Sequence, residues 1–295
     1  MHHQKYRLVV PFLAPSLLLY GLFVLWPFSQ SFYVALTDWK GVSPSRNFVG
    51  LENFSRLVQD PFFWSALKHN ATLLVVLPAV TLILALLFAA LFTQGGRGVP
   101  GAGFYRVLFF FPQVMAVAIV GVLWSFIYHP SLGLLNGFLQ VIGLGGLQRA
   151  WLGDEAAALW AVAAVVVWQA VGFYMVMFIA GIQSIPSTFY EAAILDGANR
   201  WSMFRRITLP LLWHHVQVAL VYIGIGALDF FTIVQVMTEG GPNRASEVVA
   251  HYMYTTAFQY AQFGYATAIG VSLLFMALTL SMLTLSVSRR DQIEF

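Results

Sequence analysis

Six long stretches of this chain contain no Asp, Glu, Lys or Arg and are rich in aliphatic and aromatic residues. A helix needs roughly 20 apolar residues to cross the hydrocarbon core of a bilayer, and each stretch holds one such run. The predicted spans cover residues 8–30, 70–92, 105–128, 157–181, 212–237 and 266–287; Arg106 lies at the start of the third, and Asp229 interrupts the fifth. The pattern predicts an all-α polytopic membrane protein, with six transmembrane helices in one transmembrane domain over residues 1–295.

Two of these stretches permit another interpretation. The stretch between Arg106 and Arg149 is long enough for two helices, but its second half is Gly-rich and holds only a short apolar run at 134–144. We therefore expect a surface or re-entrant segment there. The first run follows Lys5 and Arg7, as in a secretory signal peptide, but it is longer than a signal core and no small-x-small cleavage site follows. A retained helix is the favoured interpretation.

The amino-acid composition is typical of a membrane protein and argues against several other kinds of protein and site. The chain is 59% apolar and 9% charged, whereas soluble domains carry about 25% charged residues. Basic residues occur singly or in pairs despite the net charge of +3, so we expect no nucleic-acid-binding surface. Cysteine is absent, which excludes disulfides and thiolate metal sites.

Lysine and arginine are biased toward one side of the predicted topology. With the N-terminus inside, nine of them lie in the inner segments and six in the outer ones. Short loops with more Lys and Arg stay in the cytoplasm. We therefore predict that both termini are cytoplasmic.

One predicted cytoplasmic loop, residues 183–210, has the pattern of a helix-turn-helix. Ser187 follows Pro186 and can cap a helix that runs to Leu195, and Gly197 then ends that helix. Exposed apolar side chains would make the loop a docking surface for a protein. The alternative is an amphipathic hairpin on the membrane surface, whose arginines contact lipid phosphates. These arginines are Arg200, Arg205 and Arg206.

The order of residues in the 183–210 loop resembles the EAA loop of bacterial ABC importer permeases. Glu191-Ala192-Ala193 is followed after three residues by Gly197, and after nine more by Ile207-Thr208-Leu209-Pro210. The pattern EAA-x3-G-x9-I-x-LP is complete. Further segments resemble carbohydrate-uptake permeases of the maltose and glycerol-3-phosphate type, as the counterpart of the larger maltose permease subunit. They are Phe48-Val49-Gly50-Leu51-Glu52-Asn53-Phe54, Phe109-Phe110-Phe111-Pro112 and Thr238-Glu239-Gly240-Gly241-Pro242.

The resemblance implies a type I ABC importer permease of a bacterial or archaeal cytoplasmic membrane. Its expected partners are a second EAA-type permease, two cytoplasmic ATPase subunits and an extracytoplasmic solute-binding protein. ATP and Mg would be bound by the ATPase, because this chain has no Gly-x4-Gly-Lys-Ser/Thr loop; we expect no cofactor and no enzymatic activity in the chain itself. The residues implied in ATPase coupling are Glu191, Ala192, Ala193, Asp196, Gly197, Phe204, Ile207, Leu209 and Pro210.

Polar residues within the predicted spans are candidates for the substrate path, because they are costly in a bilayer. Asp229 is the one acidic residue in a predicted span, and Gln169 with Tyr174 offers the amide and ring that suit a sugar. Gln113 and Gln235 are further candidates. Each has the alternative role of a hydrogen bond between helices or to the partner permease.

Two other functions compete with an ABC permease. An ion-coupled secondary transporter would use several intramembrane ionisable residues, of which this chain offers Asp229 alone. A membrane-embedded enzyme would need a metal-ligand set or a Ser-His arrangement, and the predicted spans contain neither. The sequence leaves the solute open among mono-, di- and oligosaccharides and glycerol phosphate.

Overall fold

The computed structural model describes residues 2–42, 45–94, 97, 98, 100–227 and 230–287, which are predominantly helical. The α-helices are α1 His2–Tyr20, α2 Trp26–Ala35, α3 Glu52–Gln59, α4 Pro61–Phe92, α5 Ala102–Val114, α6 Val117–Ile127, α7 Leu134–Val141, α8 Ala158–Ser184, α9 Ser187–Leu195, α10 Arg200–Met203, α11 Leu209–Leu211, α12 Trp213–Gly226, α13 Phe231–Met237, α14 Val249–Tyr254 and α15 Phe263–Val287. Three π-helical turns and a 3₁₀ turn join some of them, at Gly21–Leu25, Phe204–Thr208, Thr255–Gln259 and Gly145–Leu147. Two short antiparallel strands, β1 Thr93–Gln94 and β2 Arg97–Gly98, follow α4.

Within the described residues, three helices are long and apolar enough to cross a membrane: Pro11–Ala35, Pro61–Phe92 and Ala158–Ser184. Two bent helix pairs bring the number to five if each pair is one span. Phe263–Thr279 is a shorter apolar helix at the predicted sixth span. The count of six spans therefore stays a prediction. The apolar run at 134–144 forms the eight-residue helix α7, too short to cross a bilayer.

The predicted third and fifth spans are not continuous helices. The axes of α5 and α6 differ in direction by 101° across a break at Met115 and Ala116, both with extended backbone. Pro112 contributes no N–H to the last turn of α5, which weakens the helix just before the break. Residues 200–211 and α12 are bent by 67°, and α12 ends at Gly226. Asp229 lies outside the described residues.

The chain forms two compact units. The first contains the residues up to Phe63 and Tyr252–Met276. In it, the buried amide of Asn53 donates to the carbonyl oxygens of Ala35 and Thr37, each at 2.9 Å. The N–H of Gly264 donates to the carbonyl oxygen of Trp39 at 2.9 Å. These bonds fix the segment after α2 against α3 and the start of α15.

A buried carboxylate organises the same unit. Asp60 accepts hydrogen bonds from the hydroxyl groups of Tyr252 and Tyr265, each at 2.5 Å, and from the N–H of Phe62 at 2.9 Å. Burial alone would raise the pKa of Asp60, but the bonds from Tyr252, Tyr265 and the main chain outweigh it and hold the pKa below its usual value. Asp60 is therefore ionised at neutral pH and joins the start of α4 to α14 and α15.

The second unit contains Trp64–His251 and Ala277–Phe295. Its apolar interior has two clusters, one around Val162, Val165 and Ile233 and the other around Phe178, Ile179 and Leu212. Helices α5 and α8 are in backbone contact there. A Cβ atom on Gly172 would lie 1.7 Å from the carbonyl oxygen of Phe109, so only glycine permits this approach.

Candidate functional site

The 183–210 loop folds as a helical hairpin, as the sequence predicts. Helix α9 ends at Leu195, and two residues later Gly197 has a left-handed backbone conformation with φ +75°. The N–H of Gly197 donates to the carbonyl oxygen of Ile194 at 3.0 Å, and the N–H of Ala198 donates to that of Ala193 at 2.9 Å. This pair of bonds is a Schellman motif, which satisfies the last carbonyl groups of a helix. Glycine is needed for its backbone angle, since a Cβ atom there would meet nothing within 4 Å.

The second arm of the hairpin has its own cap. The side chain of Asn199 accepts a hydrogen bond from the N–H of Ser202 at 2.8 Å and begins α10. A π-helical turn at Phe204–Thr208 and the short helix α11 complete the arm. Ser187 was the predicted cap of the first arm, but it is the first helical residue and Pro186 precedes it without a side-chain cap bond.

A buried polar contact holds the two arms together. The hydroxyl groups of Tyr190 and Thr208 lie 3.0 Å apart, and both residues are buried. Burial raises the pKa of Tyr190, more than the bond to Thr208 lowers it, so the phenol stays neutral. The hairpin is therefore closed at its turn by main-chain bonds and at its base by Tyr190 and Thr208.

The outer face of α9 is exposed and partly apolar. Leu195 is 89% exposed and Ile194 is also exposed, beside the exposed carboxylates of Glu191 and Asp196. Among the other predicted residues, Ala192, Gly197 and Pro210 are exposed, whereas Ala193, Phe204, Ile207 and Leu209 are half-buried. The sequence motif does not single out Leu195, because its position after the EAA triplet indicates only the end of a helix.

Phe204 has different surroundings from those expected of an exposed anchor. Its ring stacks on that of Trp201 with centroids 5.8 Å apart, and both side chains line a crevice beside α4. Trp201 remains 69% exposed. The aromatic pair therefore faces the transmembrane helices as well as solvent.

The predicted substrate-path residues do not form one cluster among the described residues. Gln169 is buried, and its amide donates to the carbonyl oxygens of Met115 at 3.1 Å and Pro112 at 3.4 Å. It thus supports the break between α5 and α6. Tyr174 is buried in the apolar cluster around Phe178.

The other two candidate glutamines lie on helices next to the break or packed against it. Gln113 is exposed in the last turn of α5, next to the break. The buried carbonyl oxygen of Gln235, on α13, has no hydrogen-bond partner among the described residues. Helix α13 packs against α6, so Gln235 and the break belong to neighbouring helices.

The segment after α13, which carries the Thr238–Pro242 motif, is rigidly bonded. The hydroxyl of Ser246 donates to the carbonyl oxygen of Gly241 at 2.6 Å. Buried Glu247 accepts from Arg244 at 3.1 Å and lies 3.4 Å from the ring nitrogen of His251. Gly240, with φ +78°, lies so close to His251 that a Cβ atom would be 2.8 Å from its ring.

Comparisons with known proteins agree on one family. A family model described as "Binding-protein-dependent transport system inner membrane component" matches residues 8–291. The chain is 46% identical to the diacetylchitobiose uptake system permease protein NgcF of Streptomyces coelicolor over 94% of this chain and 81% of that protein. It is 34% identical to the sn-glycerol-3-phosphate transport system permease protein UgpA of Agrobacterium fabrum, over 92% of each chain.

The fold also matches a solved structure. A chain of a bacterial ABC transporter involved in the import of the acidic polysaccharide alginate superposes with a TM-score of 0.81 and 25% identity, covering 97% of this chain and 96% of that one. The fold is thus that of an ABC importer permease, as predicted. The protein belongs to the binding-protein-dependent transport family of inner membrane components.

Proposed function

We propose that this chain is the permease subunit of an ATP-driven ABC importer for a carbohydrate or a similar polyhydroxylated solute. The relatives that support this are named for diacetylchitobiose and sn-glycerol-3-phosphate uptake, and the similar structure for alginate import. Their solutes differ in size and charge, but each carries more than one hydroxyl group. The importer would also contain a second EAA-type permease, two ATPase subunits and an extracytoplasmic binding protein.

The observation that carries the proposal is the difference between the two sides of the 183–210 hairpin. Its inner side is closed by the bond between Tyr190 and Thr208, while its outer side presents Leu195 among carboxylates. A fully exposed leucine on a rigid hairpin suits a groove on another protein, because burying it there is favourable and requires no reordering of the loop. We assign that groove to the ATPase, with Glu191 and Asp196 as charged contacts at its rim.

The hairpin connects α8 to α12, so its motion would reach the transmembrane helices. A loop that kept its shape would transmit displacement, whereas a loose one would absorb it. The Schellman turn and the contact at the base supply that rigidity. Closure of the two ATPases on ATP would then move both permeases between inward-facing and outward-facing states.

The break between α5 and α6 is the part of the solute path that the described residues support best. Main-chain groups left unbonded at such a break are tolerated at membrane depth only inside protein or beside water. Gln113 lies exposed there and is the candidate for solute contact, while Gln169 holds the break in shape. Tyr174 supports α8 from within the core, and Gln235 on α13 and Asp229, which is outside the described residues, remain candidates for the path.

The test compares two equally exposed leucines. Leu195→Asp places a charge at the proposed contact, whereas Leu132→Asp changes a leucine that is 87% exposed before α7. Removing an interface anchor typically costs about 2 kcal/mol or more, roughly a 30-fold weaker complex. We expect Leu195→Asp to lose co-purification of the ATPase and ATP-dependent uptake, and Leu132→Asp to retain both. Uptake that persists in Leu195→Asp or follows an ion gradient without ATP would refute the assignment.

A further inference from the structure

A crevice of about 580 Å³ opens between the C-terminal half of α4 and the side of the 183–210 hairpin that faces it. Ile83, Leu87 and Leu91 line it from α4, and Trp201 and Phe204 line it from the hairpin. The volume is within the range of small-molecule pockets, roughly 300–1,000 Å³. Its walls are mostly aliphatic and aromatic, so the crevice suits a largely apolar molecule.

The polar groups of the crevice are nearly all satisfied by the protein. The hydroxyl groups of Tyr190 and Thr208 bond each other at 3.0 Å, and that of Thr93 donates to the carbonyl oxygen of Ala89 at 2.5 Å. Arg200 is the one charged residue in the lining. It forms no ion pair with any carboxylate in the part of the chain that the structure describes. The crevice therefore combines an apolar interior with a cation that has no anionic partner.

The predicted span at 70–92 ends beside the crevice, which places the crevice near one membrane interface. The 32 residues of α4 extend roughly 48 Å at about 1.5 Å per residue, which exceeds a hydrocarbon core of roughly 30 Å. The crevice lies along its last turns, up to Thr93. Ile83, Leu87 and Leu91 are four residues apart on one exposed stripe of the helix. An acyl chain following that stripe would enter the crevice, with its head group toward the hairpin.

We propose that this crevice binds an anionic phospholipid of the membrane, with one acyl chain along α4 and the phosphate on Arg200. Basic residues beside a transmembrane helix attract anionic lipids at the cytoplasmic surface. The proposal rests on the proposed function, because the coupling role places the hairpin on that side. The lipid fills the space between α4 and the hairpin, and Leu195 does not line that space, so the lipid leaves the proposed ATPase contact free.

The charge in the lining is the reason for choosing a lipid over a helix of the second permease. An apolar helix face would fill the same walls but would leave the guanidinium of Arg200 without an anion. A phospholipid meets both requirements. Its acyl chain fills the apolar walls, and its phosphodiester oxygens accept two parallel hydrogen bonds from the arginine. The helix is the alternative that the experiment must distinguish.

The experiment measures which lipids stay bound to the full importer complex. The complex is purified, delipidated and incubated with phosphatidylglycerol or phosphatidylcholine, and bound lipid is counted by native mass spectrometry. Arg200→Gln removes the charge, and Ala90→Trp fills the crevice from α4. Arg205→Gln is the control, because Arg205 is exposed in the same segment but does not line the crevice.

We expect wild type and Arg205→Gln to retain phosphatidylglycerol, and Arg200→Gln to bind it about fivefold more weakly, as for roughly 1 kcal/mol per basic residue. Ala90→Trp should lose both lipids. Equal retention by wild type and Arg200→Gln, or no preference for the anionic lipid, overturns the proposal. So does a cross-link from Ala90→Cys to the second permease. Co-purification of the ATPase with Arg200→Gln distinguishes the two proposals: lipid binding can be lost while the ATPase stays bound, whereas a hairpin that binds no ATPase would overturn the coupling role.

Discussion

Replacing Gly197 tests whether the shape of the hairpin carries its function. Gly197 has φ +75° and no atom within 4 Å of where a Cβ would lie, so a substitution changes backbone energy without creating a clash. An L-residue in this conformation costs roughly 1–2 kcal/mol, and a β-branched residue is at the upper end. Gly197→Val therefore lowers the population of the closed turn by about 5–30-fold. Asparagine tolerates this conformation, so Gly197→Asn is the matched control.

The assay is solute-stimulated ATP hydrolysis by the purified complex in lipid, with the solute-loaded binding protein added. We expect Gly197→Val to insert and assemble its helices but to lose most of the stimulation, and Gly197→Asn to keep it. The bonds to Ile194 and Ala193 are the ones that open in the valine variant. Full stimulation in Gly197→Val would show that the turn does not transmit motion. Equal loss in both variants would mean that the backbone angle is not the cause.

Three further perturbations test the rest of the structure. The pKa of Asp60 is lowered on folding, so its stabilising contribution is present above the unfolded value of about 3.9 and is lost as pH falls through the folded pKa. Asp60→Asn should lower the unfolding temperature at pH 7 and flatten its decline in acid; an unchanged pH profile contradicts this. Gly172→Ala should impair assembly in gel filtration, because its Cβ meets the carbonyl of Phe109, whereas Gly137→Ala meets nothing and should behave as wild type. Asp229→Leu should impair uptake more than Asp229→Asn, and wild-type uptake by both would exclude Asp229 from the path.

The hairpin could be predicted from sequence because its determinants are local. The length of α9, the stop at Gly197 and the return to an apolar helix follow from residue types at fixed spacing. The orientation of its side chains could not be predicted. Phe204 and Leu195 are both apolar, and the three-residue spacing of apolar positions favours Phe204 as the exposed contact. In the structure, packing beside α4 half-buries Phe204, whereas Leu195 is exposed.

The break between α5 and α6 shows the limit of reading spans from hydropathy. Residues 105–128 are predominantly apolar, and proline is common enough in membrane helices that Pro112 does not by itself indicate a break. What supports the break is a tertiary contact, the amide of Gln169 on the carbonyl of Met115, from a residue 54 positions away. No periodicity within the segment carries that information.

Site-specific cross-linking of Leu195 tests the central claim most directly. The chain contains no cysteine, so Leu195→Cys and Leu132→Cys each introduce a single thiol. Each variant is assembled with its partner subunits in lipid and treated with a short reagent that carries a maleimide for the thiol and a photoreactive group for the neighbouring protein, and the products are identified by mass spectrometry. We expect Leu195→Cys to cross-link to the ATPase, with a yield that changes when ATP is bound, and Leu132→Cys to give no ATPase product. No ATPase product from Leu195→Cys, in an assembled complex that still transports solute, would contradict the account.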